Sequence, residues 1–264
     1  MSEFASKTGP FLNQDDRDRA IQSFQRDGYC VLPKLCAADF CDELLGLSLE
    51  LAIDPAPPVE YEADTGYPGA PASRKSPGGK TLRRLRAIYD RHPLIQQQAG
   101  HPAILDIVSE ILEPPIAMSR AHHNCVMFKD PRYGSETGWH QDMRYWRFAK
   151  PELITAWLAL TEAGPDGGCL RFVPGSHRMD FAADRFDSEQ FFRPELPENA
   201  ELLESAEAVP LEVGDVVLFH SRLLHAALRN SADQTRVSLI FTYHCQNNAP
   251  VAGTRSDQDP VLFD

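Results

Sequence analysis

The chain has 264 residues, 42% of them hydrophobic and 24% charged, which suits one large globular domain and leaves no apolar run long enough to span a membrane. Its 26 Lys and Arg against 38 Asp and Glu give a net charge of −12, which repels a phosphate backbone and argues against nucleic acid as a partner. Six cysteines without a C-x-x-C pair argue against structural zinc, and an N-terminus without an apolar stretch predicts no signal peptide, so a cytoplasmic protein with reduced thiols is expected.

Residues 14–27 read as a helix, capped by Asn13, with Ile21 and Phe24 on one face and Gly28 just past its end. Tyr29 to Leu32 reads as a short strand, and Ala37 to Leu51 returns to helical spacing through Phe40, Leu44, Leu47 and Leu51. Residues 54–80 are rich in Pro, Gly, Ala and Ser and predict a mobile loop suited to a lid. Two more helical stretches are expected near 83–99 and 102–112. Basic residues concentrate from Arg74 to Arg91, opposed only by Asp90. They read either as a solvated helix face plus a loop, or as a wall that attracts an anionic ligand.

After Pro115 short β-prone runs alternate with turns: 122–128, 154–160, 169–173, 208–211, 216–220 and 237–244. Cys125 and Cys245 sit in such runs as small hydrophobes. A helical part over about 1–114 and a β part over about 115–250 predict one α+β domain across 1–264, a jelly-roll (cupin-like) core buttressed by N-terminal helices.

Within Gly138-Trp139-His140-Gln141-Asp142, strand spacing puts His140 and Asp142 on one face, able to offer a nitrogen and an oxygen to one metal. Alone this is weak, since nine histidines and 21 aspartates give about 0.7 such pairs by chance. His225 and Arg236 strengthen it. A hairpin turning near 230–232 would set them nearly opposite each other, both aimed at one pocket. Two His and one carboxylate suit iron(II) and leave three positions open. 2-Oxoglutarate can fill two and dioxygen the third, while a guanidinium receives the distal carboxylate bidentately. His220 and His177 compete as ligands, but His220 reads as a supporting residue and His177, after Pro174-Gly175-Ser176, as a hydrogen-bonding turn residue.

The chain resembles the phytanoyl-CoA dioxygenase family of iron/2-oxoglutarate oxygenases. The likeness runs from RDGYCVLPKL to RVSLIFTYH and is most specific in WHQD, AWLALTEAGPDGGCLRFVPGSHR and GDVVLFHSRLLHAALRNSADQTR. It implies a double-stranded β-helix, iron bound by His140, Asp142 and His225, and 2-oxoglutarate bound by Arg236, with Trp157 lining its pocket. It also implies that His123 lies near the cosubstrate, with His122 on the opposite strand face. Arg84, or Arg83 one place earlier, matches a family lysine that reaches the cosubstrate. Arg83 is otherwise placed, like Gln141 between two ligands, toward the substrate. Where the family often has His-Gly-Ser this chain has His225-Ala226-Ala227, so a serine contact to the cosubstrate is lost. Segments 54–80 and 178–207 are where the family varies and where substrate selection is expected.

The implied reaction consumes O2 and 2-oxoglutarate, releases succinate and CO2, and hydroxylates a C–H bond of a small, anionic-tolerant metabolite. The carboxylate at Asp142 fills the place a halide takes in related halogenases, which favours hydroxylation. Two rivals are a cupin-like metalloenzyme without 2-oxoglutarate, which has no need of Arg236, and a non-catalytic jelly-roll binding module, which has no need of a full ligand triad.

Overall fold

The computed structural model describes residues 12–263. Helix α1 (Gln14–Asp27) begins where Asn13 Oδ1 accepts the Asp16 amide at 2.9 Å. It ends at Gly28, whose φ of +85° and position leave no room for a side chain: a Cβ there would lie 2.4 Å from His177 Nδ1. Strand β1 (Tyr29–Leu32) follows, then α2 (Ala38–Ile53), which buries Phe40 and Leu44. Helices α3 (Pro93–Ala99) and α4 (Pro102–Ile111) each start on proline, which suits the first turn.

The remaining strands are β2 (Val59–Tyr61), β3 (Leu82–Arg86), β4 (Ile116–Met118), β5 (Asn124–Lys129), β6 (Thr137–His140), β7 (Leu153–Ala159), β8 (Leu170–Phe172), β9 (Glu207–Val209), β10 (Val216–His220), β11 (His225–Ala227), β12 (Arg236–Cys245) and β13 (Val261–Phe263). A short helix, α5 (Pro197–Leu203), precedes β9. The large sheet runs β1-β10-β7-β12-β5-β3-β2, with β4 and β13 continuing beside β12. The small sheet runs β6-β11-β8-β9, and all pairings are antiparallel.

The central strands alternate strictly between two apolar layers. Ile154, Ala156 and Leu158 of β7, Leu218 of β10 and Leu239 and Phe241 of β12 pack against Phe24, Phe40, Leu44 and Ile107 of the helices. Their neighbours Trp157, Val217, Phe219 and Ile240 face the other way and meet Leu170 and Phe172 of the small sheet. With both faces covered, the strands read as nearly unbroken apolar runs. The two-sheet core with buttressing helices is the expected jelly roll. Among the described residues no helix is long and apolar enough to cross a membrane.

Four local expectations are corrected. Residues 82–86 are a strand, because β3 pairs with β5 (Leu85↔Val126) and with β2, and Leu85 sinks into the core; only 93–99 of the expected 83–99 helix is α-helical. Leu-Arg-Arg-Leu carries helical spacing, but pairing overrides it. The 54–80 stretch is not structureless: it holds β2 and a 3-10 turn at 62–64 whose Glu62 is fully buried against Arg83. Positions 225 and 236 are not hairpin partners, since β11 belongs to the small sheet and β12 to the large one. Finally, His140 ends β6 while Asp142 begins a 3-10 turn, so the pair does not share one strand.

Candidate metal centre

The antiparallel pairing of β6 with β11 sets His225 directly opposite His140, with ring centres 4.2 Å apart. The turn after β6 brings in the third group. Asp142 Oδ1 lies 3.7 Å from His140 Nε2 and 3.6 Å from His225 Nε2, and the three residues form a buried cluster whose ligand atoms lie within 4.8 Å of one another. The Nδ1 atoms of His140 and His225 are held by the carbonyls of Gly138 (2.8 Å) and Leu223 (2.9 Å). That fixes Nδ1 as the protonated nitrogen and leaves each Nε2 with a lone pair facing the cluster.

The electrostatics suit a cation. Burial pushes both imidazoles toward the neutral form, His140 strongly so; the His225 ring depresses His140 further, and His123 depresses His225. Burial alone would raise the Asp142 carboxyl, but His123, His225 and His140 together hold it below the usual carboxylate range. Asp142 Oδ2 accepts from Thr155 Oγ1 at 3.1 Å, and Thr155 Oγ1 in turn meets Thr242 Oγ1 at 3.1 Å. His123 Nδ1 stands 3.3 Å from the same oxygen without the alignment of a hydrogen bond.

His123, His140, Asp142, Thr155 and His225 line one cavity, together with Trp157, Arg84, Tyr145, Phe219 and Arg236. Arg236 enters from the large sheet, opposite the histidines on the small one. It is only 2% exposed, its guanidinium lies 5.3 Å from the centre of the Trp157 ring, and it donates to the Gly168 carbonyl. Its Nε has no partner, and no carboxylate among the described residues pairs with it. Burial lowers its pKa to about 10. A buried guanidinium without a counter-ion is costly, and a carboxylate entering the cavity would offset that cost.

The other sequence candidates separate. Arg84 lines the cavity, with its Nε 3.5 Å from Glu60. Arg83 does not: its guanidinium is sealed between Glu62, Ser135 Oγ (2.7 Å) and Thr137 Oγ1 (3.0 Å), where it holds the 54–80 segment in place. Gln141 also stays out of the cavity, its amide anchored on the Arg222 carbonyl. Both therefore lose the substrate-facing placement expected of them. His122 and His123 are both buried, but only His123 lines the metal cavity; His122 faces a neighbouring basin. His220 packs against His177 and Phe24, and accepts the Arg222 amide, away from the cluster. Ala227 lines the cavity where a serine was expected to be missing.

Sequence reasoning missed Thr155 and Tyr145. Thr155 was within reach: it stands two residues before Trp157 on one strand and so shares its face. Tyr145 lies in an irregular turn, and nothing in its neighbourhood announces that it borders the metal cavity.

A family model for phytanoyl-CoA dioxygenase matches residues 24–238. Among curated proteins, the chain is similar to an ectoine dioxygenase of Stutzerimonas stutzeri, 24% identical over 87% of this chain and 77% of that protein. It is likewise similar to phytanoyl-CoA dioxygenase domain-containing protein 1 of Danio rerio, 23% identical over 86% and 89%. Among solved structures, the epimerase SnoN from nogalamycin biosynthesis, in complex with Fe3+, alpha ketoglutarate and nogalamycin RO, superposes with a TM-score of 0.73 at 21% identity, covering 96% of this chain and 97% of that one. EctD from S. alaskensis with bound Fe gives 0.72 at 22% identity over 93% and 83%.

Proposed function

The chain belongs to the phytanoyl-CoA dioxygenase family, and from that premise we propose that it is an iron(II)- and 2-oxoglutarate-dependent dioxygenase in which His140, Asp142 and His225 hold the metal and Arg236 receives the cosubstrate. One observation carries the reading: a buried two-histidine, one-carboxylate cluster shares a cavity with a buried guanidinium that has no carboxylate of its own.

The donor set fits the metal. Two neutral imidazole nitrogens and one carboxylate oxygen, each fixed by a second hydrogen-bond partner, make a three-sided site with open positions. When bound, iron(II) supplies the activation of dioxygen that couples 2-oxoglutarate decarboxylation to oxidation of a substrate C–H bond. The protein's own part is placement and exclusion of water. Arg236 would donate its N–H groups to the distal carboxylate of 2-oxoglutarate, and Trp157 lies against the guanidinium. Arg84 offers a second cation on the cavity wall. Phe219, Leu170 and Ile240 keep the cavity apolar between its charged groups, which strengthens each charge interaction inside it. Thr155 holds Asp142 in one orientation. The substrate is a small metabolite, hydroxylated with release of succinate and CO2, and the six free thiols suit the reducing cytoplasm.

Succinate release that requires both iron(II) and 2-oxoglutarate is the direct test. His225→Ala should abolish iron binding in an anaerobic titration, whereas His220→Ala should leave it within a fewfold of wild type. The reverse order would defeat the ligand assignment.

A further inference from the structure

The metal cavity shares a wall with a second, polar basin: Arg84 and Tyr145 line both. Besides Arg84, three guanidiniums reach this basin. Arg86 lies two residues beyond Arg84 on β3, Arg144 follows Asp142 in the turn after β6, and Arg255 comes from the segment before β13.

The basin's carboxylates do not neutralise them. Asp64 is taken bidentately by Arg74, at 2.7 and 2.8 Å. Glu60 is shared between Arg83 Nε at 3.2 Å and Arg84 Nε at 3.5 Å. Only Glu189, an exposed residue, is left over, and among the described residues none of Arg86, Arg144 and Arg255 has a carboxylate within ion-pair distance. Arg144 is instead braced by aromatic groups, its guanidinium 3.6 Å from the centre of the Phe191 ring and 3.4 Å from the Tyr67 hydroxyl. Such bracing orients a guanidinium while leaving N–H donors unspent.

The surplus charge is felt by neighbours. His122 is kept neutral, its pKa pushed down to about 3, first by burial and then by Arg255, His123 and Arg86. Arg255 is itself made a weaker base by burial and by Arg86. Like charges gathered this way, in a chain whose net charge is −12, repel one another unless an anion sits among them.

We propose that the basin of Arg86, Arg144 and Arg255 receives an oxyanion group of the substrate, a carboxylate or a phosphate. Anchored there, a substrate extends past the Arg84–Tyr145 wall and presents its C–H bond to the metal cavity. The inference rests on the reaction proposed above for that cavity, but the anion site can be tested without it. The metal-free protein is titrated calorimetrically at constant ionic strength with inorganic phosphate and, separately, with acetate, using chloride as the control. Saturable binding of one of the two is expected, and which one binds identifies the group. The Arg86→Gln/Arg255→Gln double variant should bind that anion at least tenfold more weakly, while its anaerobic iron(II) and 2-oxoglutarate titrations stay as in wild type. Binding of neither anion beyond chloride, or equal binding by the double variant, overturns the proposal. Failure of the wild type to take up iron or 2-oxoglutarate would instead refute the reading of the metal cavity and leave the anion result standing.

Discussion

Replacing Arg236 with methionine should separate what this residue does for function from what it costs the fold. Burial lowers the guanidinium pKa from its ordinary value to about 10, so its charged form is disfavoured in the folded state. At 1.36 kcal/mol per pKa unit that amounts to roughly 3 kcal/mol. The sign follows from linkage: the folded state binds this proton less tightly than the unfolded chain, so the cost is fully present at neutral pH and fades only as pH rises above about 10. Methionine replaces the aliphatic stem with an unbranched apolar chain and removes the charged head. The ligand-free variant should therefore be no less stable than wild type, and up to about 3 kcal/mol more stable where packing is kept.

Cosubstrate binding should respond in the opposite direction. A forked, charge-assisted contact to a carboxylate contributes roughly 2–4 kcal/mol, so the 2-oxoglutarate Kd of the iron(II) protein should rise by roughly 30- to 1,000-fold. Thermal melts of the metal-free protein give the stability, and anaerobic titration of the iron(II) protein gives the affinity. The melting point should rise or hold while the affinity collapses. A variant that loses 1 kcal/mol or more of stability yet binds 2-oxoglutarate as tightly as wild type would show that Arg236 is a structural residue held by Gly168 and Trp157.

Three further outcomes test other parts of the construction. Thr155→Val keeps a β-branched shape but removes the hydrogen bond to Asp142 Oδ2, so iron(II) affinity should fall about 10- to 100-fold without a change in melting point. Glu62→Gln leaves the buried Arg83 charge with only Glu60 nearby, which should cost about 2–4 kcal/mol in urea denaturation and speed proteolysis within 54–80. Acid should destabilise the fold through buried neutral histidines. His220 and His122 bind protons only at about pH 4 and about 3 in the folded state, while an unfolded histidine does so near 6.5. Stability should thus fall as pH drops from 6.5 toward 4, by up to roughly 3 kcal/mol for each histidine, and His220→Asn, which still offers an acceptor to the Arg222 amide, should flatten that slope in pH-dependent melts.

The jelly roll was legible because its central strands are covered on both sides. Residues 154–160, 216–220 and 237–244 read as apolar runs bounded by turns, and they became the middle of the large sheet. The capped helix at 14–27 was legible for a local reason: Asn13 and Gly28 mark its ends without help from tertiary structure. What failed depended on distant partners. Leu82 to Arg86 has helical spacing, and only the strands beside it and the carboxylates of Glu60 and Glu62 make it a strand with buried arginines.

The metal site was reached partly by a wrong route. A hairpin was to bring His225 and Arg236 together, yet their strands lie in different sheets. They meet because both sheets turn one face into the same interior, and His225 stands opposite His140 on the small sheet while Arg236 descends from the large one. An eleven-residue step between the two therefore does not measure a turn. It measures the distance the chain needs to leave one sheet, cross the end of the barrel and enter the other with its side chain still facing inward. A one-residue slip of β12 against β5 and β7 would flip Arg236 out of the cavity, because side chains alternate along β12. Inserting a single residue in the 229–234 loop, by contrast, leaves β12 paired in its register with β5 and β7 and should preserve both iron and 2-oxoglutarate binding. The linear spacing is thus a consequence of the register. The register, set by Ser238↔Ala159 and Ile240↔Trp157 across β12 and β7, is what aims the guanidinium beside Trp157.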